Sequence, residues 1–210
     1  IALVLSLTLA NLAVGFFASN RHRRQVQELF GAYVPPAYVE RLLEDPKAAS
    51  MEGEQRTMTV LFADIMGFTA LSEALTTAEL KSLLNRYLTK VTEVIFEHQG
   101  TIDKYVGDMV MAFWNAPLDD AQHAQNGVLA ALAMQQQTAL LSEEFIKSGL
   151  PPLKIGIGLN TGPMNVGDMG SHYRRAYTVL GDAVNLGSRR ESSTRFYGAK
   201  ILFSDSTQAQ

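Results

Sequence analysis

The sequence has no cysteine among its 210 residues, which excludes disulfide bonds, thiol nucleophiles and thiolate metal sites. It has only four histidines, and their positions show no spacing typical of metal ligands. It also lacks a basic stripe interleaved with aromatic residues, and its net charge is −3, so a nucleic-acid polymer is not expected as a partner. Hydrophobic residues make up 47% of the chain, and no low-complexity tract is present. This composition predicts a folded protein.

The longest apolar run lies at the start of the chain. Residues 1–18 are interrupted only by Ser6, Thr8 and Asn11, and a helix of this length reaches about 27 Å, close to a hydrocarbon core of about 30 Å. The basic cluster at 21–24 predicts that the residues after it lie in the cytoplasm. We therefore expect a transmembrane helix over residues 1–20, the end of a longer membrane region in an inner or plasma membrane. A secretory signal and a buried soluble helix are the alternatives.

Residues 21–55 predict a cytoplasmic connector without chemistry of its own. The dipeptides Pro35-Pro36 and Asp45-Pro46 interrupt its short helical stretches, because proline breaks a helix interior. Such a connector transmits motion from an upstream sensor or fixes the geometry of a dimer. A passive tether is the alternative interpretation.

Residues 56–210 predict a main domain of mixed strands and helices. Strands are expected at 57–63, in a hairpin over 101–114, at 154–161, from 165 after a turn at Gly162-Pro163, and at 200–203. Helices are expected to be capped by Thr69 or Ser72, by Thr76 or Thr77, by Asp119 or Asp120, and by Asp182, with Gly100 ending the second. This order predicts an α+β sheet with helices packed on one face.

Two aspartates, Asp64 and Asp108, follow apolar strand-like runs at predicted turns. Carboxylates from neighbouring strand ends suit Mg²⁺, which usually combines one or two of them with substrate phosphates and water. Gly67 and Gly107 have no Cβ, so a bulky anion can approach the main chain beside them. The predicted helix N-terminus after Gly67 suits phosphate. The pattern indicates a metal-dependent enzyme acting on a nucleoside triphosphate, although strand-end turn residues are the ordinary interpretation of such aspartates.

Three segments, FADIMGFT at 62–69, KYVGD at 104–108 and TVLGDAVNLGSR at 178–189, resemble the signature blocks of class III nucleotidyl cyclases. The blocks stand in the family's order and spacing, and the resemblance covers roughly residues 56–204. Residues 30–36 resemble the connector of membrane-anchored bacterial adenylate cyclases. The resemblance implies a ferredoxin-like catalytic domain, with a mainly antiparallel sheet, and a homodimer with its sites at the interface.

The resemblance also implies a ligand set for two Mg²⁺ or Mn²⁺ ions per active site. Asp64 and Asp108 would bind both metals, and the carbonyl oxygen of Ile65 would bind one. One metal would lower the pKa of the ribose 3′-hydroxyl, and the other would hold the β- and γ-phosphates of the leaving pyrophosphate. Phe68 and Thr69, with Gly67 before them, are expected beside the substrate phosphates.

Two further pairs of residues receive roles from the same resemblance. Asn185 would orient the ribose, and Arg189 would neutralise charge developing on the α-phosphate; a spacing of four places both on one helix face. Lys104 and Thr178 match the positions that contact the purine. Lysine can donate to N1 of adenine and threonine can accept from its 6-amino group, whereas guanylate cyclases carry an acidic residue and a cysteine there.

The sequence therefore predicts an adenylate cyclase that converts ATP to 3′,5′-cyclic AMP and pyrophosphate. Two alternatives remain open: a guanylate cyclase, and a catalytically degenerate domain that binds nucleotide and signals without turnover. The family's phosphate-binding lysine is expected beyond Gln210, in a C-terminal part of the domain that this sequence does not include. Arg190 stands where the family usually has an apolar residue, so local packing or the dimer contact is expected to differ there.

Overall fold

The structure, a computed structural model, describes residues 53–173 and 175–210. Its strands are β1 (Glu54–Ile65), β2 (Thr101–Val106), β3 (Met109–Trp114), β4 (Ile155–Gly170), β5 (Arg175–Leu180) and β6 (Ile201–Phe203). Its helices are α1 (Phe68–Ala74), α2 (Thr77–Glu97), α3 (His123–Lys147), α4 (Asp182–Tyr197) and α5 (Asp205–Gln208). The membrane span expected over 1–20 and nearly all of the expected connector lie outside the described residues. None of the helices within the described ranges is long and apolar enough to cross a membrane.

The six strands form one sheet in the order β2-β3-β1-β4-β5, with β6 paired to β4. The run MTVLFA in β1 is buried on both faces, as expected of a central strand rich in apolar residues. The β1–β3, β1–β4, β2–β3 and β4–β5 pairs are antiparallel, and the β4–β6 pair is parallel. The sheet is therefore mainly antiparallel, as predicted.

Strand β4 continues through the position where a turn was expected. Gly162 pairs with Met58 and Pro163 pairs with Thr57 of β1, so the prediction of two strands joined at Gly162-Pro163 is wrong. On its other side β4 pairs with β6 over residues 157–159 and with β5 over residues 165–170. Between these pairings only β1 is a neighbour, so the missing N–H of proline can be tolerated there.

Helices cover both faces of the sheet, which corrects the expectation of a single covered face. Leu61, Ala63 and Ile65 of β1 pack in one cluster with residues of α2 and α3. The alternate residues Met58, Val60 and Phe62 pack in a second cluster with Ala183 and Val184 of α4. Successive strand residues point to opposite faces, so α4 lies on the face opposite α2 and α3.

Helix α4 lies directly on the backbone of β4. A Cβ atom at Gly158 would stand 2.5 Å from the Gly187 carbonyl oxygen and 2.7 Å from Glu191 Cα, closer than real Cβ atoms come. A Cβ atom on Gly187 would stand 2.9 Å from Val60 Cγ1. The buried residues of α4 are Ala183, Val184, Gly187, Glu191 and Thr194, which form no wide apolar stripe. That is why the sequence pattern did not indicate which face of the helix is buried.

The predicted start of α2 is confirmed. The Thr76 side chain accepts a hydrogen bond from the backbone of Glu79, and the Glu79 carboxylate accepts one in return, which forms a capping box. The end of α2 differs from the prediction. Gln99, with φ 63°, takes the left-handed conformation, while Gly100 provides the space for the Trp114 ring, which a Cβ would meet at 2.7 Å.

Three other predicted caps are wrong by a few residues. Helix α1 begins after Gly67, whose φ is 75°, without a side-chain cap, and α4 begins after Gly181. Helix α3 begins after Gln122. Asp120 acts just upstream, where one of its carboxylate oxygens accepts from the Gln122 backbone at 2.8 Å.

The two ends of the strand order approach each other. The rings of Phe113 on β3 and Tyr177 on β5 lie 6.1 Å apart, and the Thr178 hydroxyl of β5 donates to Asp103 of β2 at 2.5 Å. Because twist accumulates across a sheet, side chains from β2 and β5 meet although three strands lie between them. The curled sheet thus brings residues 75 positions apart into contact.

Candidate active site

Asp64 and Asp108 come together at one end of the sheet. Asp64 is near the end of β1, and Asp108 lies in the tight turn between β2 and β3, which is the predicted hairpin. The backbone N–H of Ile65 donates to Asp108 Oδ2 at 3.0 Å, and the Asp108 side chain also hydrogen-bonds with Asp64. The three residues expected to bind metal are therefore neighbours.

The environment of this pair disfavours two negative charges. Burial raises the pKa of Asp108 to about 7, and the hydrogen bond and charge of Asp64 act in the same direction. Burial also raises the pKa of Glu191, and the charge of Asp64 adds to that shift. The buried hydroxyl of Tyr87 has no hydrogen-bond partner within the described residues, and its pKa is raised by burial and by Asp108. A nearby cation would stabilise the two adjacent carboxylates, Asp64 and Asp108.

One cation already contacts Asp64. An Arg195 guanidinium nitrogen lies 2.5 Å from Asp64 Oδ2. The Arg195 side chain is 53% exposed and the Asp64 side chain 21% exposed. Sequence reasoning missed this contact, because the two residues lie 131 positions apart. The available signal was the spacing of four between Glu191 and Arg195, which places both on one side of α4.

The donor set fits a hard divalent cation. It consists of two adjacent carboxylates and the backbone carbonyl of Ile65, all oxygen ligands of the kind Mg²⁺ prefers. The raised pKa of Asp108 reflects in part its repulsion from Asp64. A nearby cation would reduce this repulsion. Within residues 53–173 and 175–210, no group of three or more acidic or histidine side chains is placed to hold a metal, so phosphate and water oxygens would complete the coordination.

The phosphate side of the site begins one turn beyond Asp64. Gly67 is exposed and left-handed, and a Cβ there would meet no atom within 4 Å, so the space beside its backbone is open. Phe68 packs partly against the core, whereas Thr69 is exposed. The structure thus leaves the backbone at Gly67 accessible beside the carboxylates.

Lys104 and Thr178 meet through a residue that the sequence analysis did not single out. The carboxylate of Asp103 is fully buried; its Oδ1 lies 3.1 Å from Lys104 Nζ, and its Oδ2 accepts from the Thr178 hydroxyl at 2.5 Å. The backbone N–H of Val179 also donates to Oδ2, at 3.3 Å. A register shift between Ile102 and Lys104 interrupts the β2–β3 ladder beside Asp103, and β-bulges of this kind re-aim side chains.

Asn185 and Arg189 are both exposed on α4. The opposite side of the helix is buried through Ala183, Val184 and Gly187. Among the described residues, neither Asn185 nor Arg189 forms a hydrogen bond or ion pair with Asp64 or Asp108. The structure therefore brings the expected residues together in two places. The carboxylate end contains Asp64, Ile65 and Asp108, and the base end contains Lys104 and Thr178 with Asp103. Asn185 and Arg189 belong to neither and are exposed on α4.

Comparison with known proteins defines the class to which this fold and site belong. Residues 51–210 match the family described as the adenylate and guanylate cyclase catalytic domain. The chain belongs to this family, which confirms the resemblance to class III cyclases. The sequence is also 35% identical over 193 residues, 92% of this chain, to adenylate cyclase 1 of Rhizobium meliloti (strain 1021).

Solved structures of both substrate classes are similar to this chain. The adenylyl cyclase CyaB from P. aeruginosa is 38% identical with a TM-score of 0.71, over 75% of this chain and 81% of that one. A guanylyl cyclase is 37% identical with a TM-score of 0.70, over 75% of this chain and 79% of that one. The chain spans only 29% of the length of the Rhizobium enzyme. The comparisons establish a cyclase catalytic domain without distinguishing its nucleotide.

Proposed function

We propose that this domain is an adenylate cyclase that converts ATP to 3′,5′-cyclic AMP and pyrophosphate. The observation that carries the proposal is the meeting of Lys104 and Thr178 at Asp103. An ammonium group can only donate, and it suits N1 of adenine, which accepts; in guanine N1 carries a hydrogen. The Thr178 hydroxyl can accept from the adenine 6-amino group, whereas guanine has an oxygen there.

The carboxylate end would hold the two Mg²⁺ or Mn²⁺ ions of the reaction. Asp64 and Asp108 would contribute carboxylate oxygens, and Ile65 its carbonyl oxygen. Two ions of this kind supply activation of the attacking 3′-hydroxyl and neutralisation of the leaving pyrophosphate. The open backbone at Gly67 and Phe68, with the Thr69 hydroxyl nearby, would face the phosphates.

Arg189 and Asn185 would complete the site from a second copy of the chain. Arg189 would donate to the α-phosphate oxygens as charge develops, and Asn185 would orient the ribose. Both side chains are exposed and are not paired with the carboxylates of their own chain among the described residues. A symmetric homodimer supplies the missing half of each site twice.

Mixed dimers test this arrangement. Neither Asp64→Ala nor Asn185→Ala chains should be active alone, but in a mixed dimer one site collects both defects and the other collects none. Random pairing of equal amounts makes half of the dimers mixed, so about a quarter of wild-type cyclic AMP formation should return. If subunit exchange is demonstrated and activity does not return, each chain builds its own site and the homodimer proposal is wrong.

Guanylate cyclase activity remains the second candidate, because a guanylyl cyclase structure is among those similar to this chain. Measuring kcat/KM for ATP and for GTP under the same metal concentration separates the two. The double substitution Lys104→Glu with Thr178→Cys should erode the preference for ATP, since it places an acceptor opposite N1. An absence of turnover with either nucleotide, in a folded dimer that binds both, would favour the degenerate signalling domain.

We also propose that residues 1–20 anchor the domain in an inner or plasma membrane, with the catalytic part in the cytoplasm and an upstream sensor acting through residues 21–55. The support is the apolar run followed by a basic cluster. Fractionation of cells expressing the protein, with and without residues 1–20, tests the anchor. Recovery of both forms in the soluble fraction would contradict it.

A further inference from the structure

Asp103 has a chemical effect on Thr178 that goes beyond holding it in place. A threonine hydroxyl has one proton to donate and two lone pairs that accept, so a free hydroxyl can face either a donor or an acceptor. Thr178 donates its only proton to Asp103 Oδ2, and this bond is short at 2.5 Å. What remains on the hydroxyl oxygen are lone pairs, which can only accept.

The direction of this bond is fixed by the other groups around Asp103. The Val179 N–H also points at Oδ2, and the Lys104 ammonium lies beside Oδ1 as an ion pair rather than as a hydrogen bond of good geometry. An ionised carboxylate has no proton to give and only accepts, so the Thr178 hydroxyl supplies the proton of this bond. The side chain is fully buried, so water does not compete for either oxygen.

We propose that Asp103 is a positioning residue that determines base specificity by making Thr178 an obligate acceptor. An obligate acceptor matches the 6-amino group of adenine, which donates, and opposes the 6-oxygen of guanine, which accepts. The same carboxylate holds Lys104 on the same side, where its ammonium can donate to adenine N1. The inference rests on the proposed function, in which Lys104 and Thr178 contact the base. It adds Asp103 as the residue that makes these two side chains favour adenine over guanine.

A purely structural role for Asp103 makes a different prediction. If the carboxylate only joins β2 to β5, its loss should lower kcat/KM for ATP and GTP by the same factor. If it directs the Thr178 proton, its loss should change the ratio of the two. The ratio of kcat/KM values is therefore the readout, and competition of ATP and GTP against a fluorescent nucleotide gives the same ratio without turnover.

The experiment compares Asp103→Ala, Thr178→Val and the double variant in the full chain. Asp103→Ala frees the Thr178 proton for guanine, so the ATP:GTP ratio should fall about tenfold, the effect of one hydrogen bond on a discrimination step. Thr178→Val should lower the ratio as well, and adding Asp103→Ala to it should change the ratio by less than about twofold. The matched control is Asp119→Ala, since Asp119 pairs with Arg56 and is 84% exposed; its ratio should equal that of the wild type.

Each outcome decides a separate point. An unchanged ratio in folded Asp103→Ala, with Thr178→Val lowered, overturns this inference and leaves the proposed function intact. An unchanged ratio in Thr178→Val overturns base recognition by Thr178, and the inference with it. If Asp103→Ala does not fold, Asp103→Asn keeps the volume. Its amide can donate to the Thr178 oxygen, so the ratio should again fall, and an unchanged ratio there overturns the inference.

Discussion

At the carboxylate end of the site, Asp64 and Asp108 stand side by side and the pKa of Asp108 is raised to about 7. At the base end, by contrast, there is a single buried carboxylate, Asp103, and its oxygens face Thr178, Val179 and Lys104. One end contains like charges side by side. The other contains a buried carboxylate with two hydrogen-bond donors on Oδ2 and an ammonium group beside Oδ1. Burial alone therefore does not determine what a carboxylate does.

The difference separates two properties of the domain. Neighbouring carboxylates that repel one another bind a cation more tightly, because the bound cation offsets their repulsion. A carboxylate that already has donors and an ammonium group beside it attracts a further cation less, but it orients the donors that surround it. We therefore expect substitutions at the carboxylate end to change whether the reaction occurs, and substitutions at the base end to change which nucleotide is used.

The largest effect is expected at the carboxylate end, where substitutions should abolish activity but need not lower stability. Asp108→Asn should abolish metal-dependent turnover, as should Asp64→Ala, because each removes a ligand of the proposed two-metal site. Without metal, Asp108→Asn should raise the Tm at pH 8, since the amide still accepts from Ile65 and no longer repels Asp64. Activity assays and thermal unfolding on the same preparations test both parts, with Asp119→Asn as the matched control. Near-normal turnover in either variant would contradict the metal assignment.

The next largest effect is expected at Arg189, which belongs to neither end within its own chain. Arg189→Ala should lower kcat by about 10²–10³ while KM for ATP changes much less, because the guanidinium is proposed to meet charge that exists only in the transition state. Steady-state kinetics with saturating metal give both constants. Arg189→Lys keeps a positive charge and should retain more activity than Arg189→Ala. A variant whose only defect is weaker ATP binding would contradict this role.

A pH series tests the charge repulsion directly. The folded pKa of Asp108, about 7, lies above its ordinary value of 3.8, so the metal-free protein binds a proton that the unfolded chain releases. The stabilisation that this bound proton gives the folded state is complete below pH 3.8 and is lost as the pH rises towards and through 7. Asp108→Asn should flatten this part of the stability profile. Metal affinity should have the opposite trend and tighten between pH 6 and 8, by at most tenfold per unit, as calorimetric titration with Mg²⁺ can measure.

The smallest effect is expected at Arg195, whose guanidinium forms an ion pair with the Asp64 carboxylate. Arg195→Gln should lower the Mg²⁺ concentration for half-maximal activity by about two- to fivefold, because a partly exposed ion pair is worth less than about 1 kcal/mol. Metal titrations of activity at constant ATP measure this shift. A higher metal requirement in the variant would show that Arg195 supports metal binding instead of competing with it.

The parts of the fold that the sequence predicted are those determined by neighbouring residues. The hairpin around Gly107-Asp108 and the helix start at Thr76 depend on a few consecutive side chains, and both predictions are confirmed. The continuous strand through Pro163 depends on which strand lies on the other side of β4, which no local pattern reveals.

The same distinction holds for the candidate site. Asp64 and Asp108 were indicated by their own motifs, and the structure places them together. Asp103 and Arg195 were missed because their roles come from contacts across 75 and 131 positions. Such contacts depend on the curl of the sheet and on the face that α4 covers. The local pattern predicted neither the curl nor the correct face.

The glycine contact between α4 and β4 has a consequence for how activity can be regulated. Because no side chain separates the helix from the strand at Gly158, α4 cannot slide or tilt without displacing β4. Strand β4 in turn pairs with all of β1 over residues 155–166, so Asp64, Asn185 and Arg189 belong to one rigid block. We expect that a signal from the proposed upstream sensor would not bend this block internally. In the proposed homodimer, such a signal would therefore act by changing the orientation of one copy of the block relative to the other.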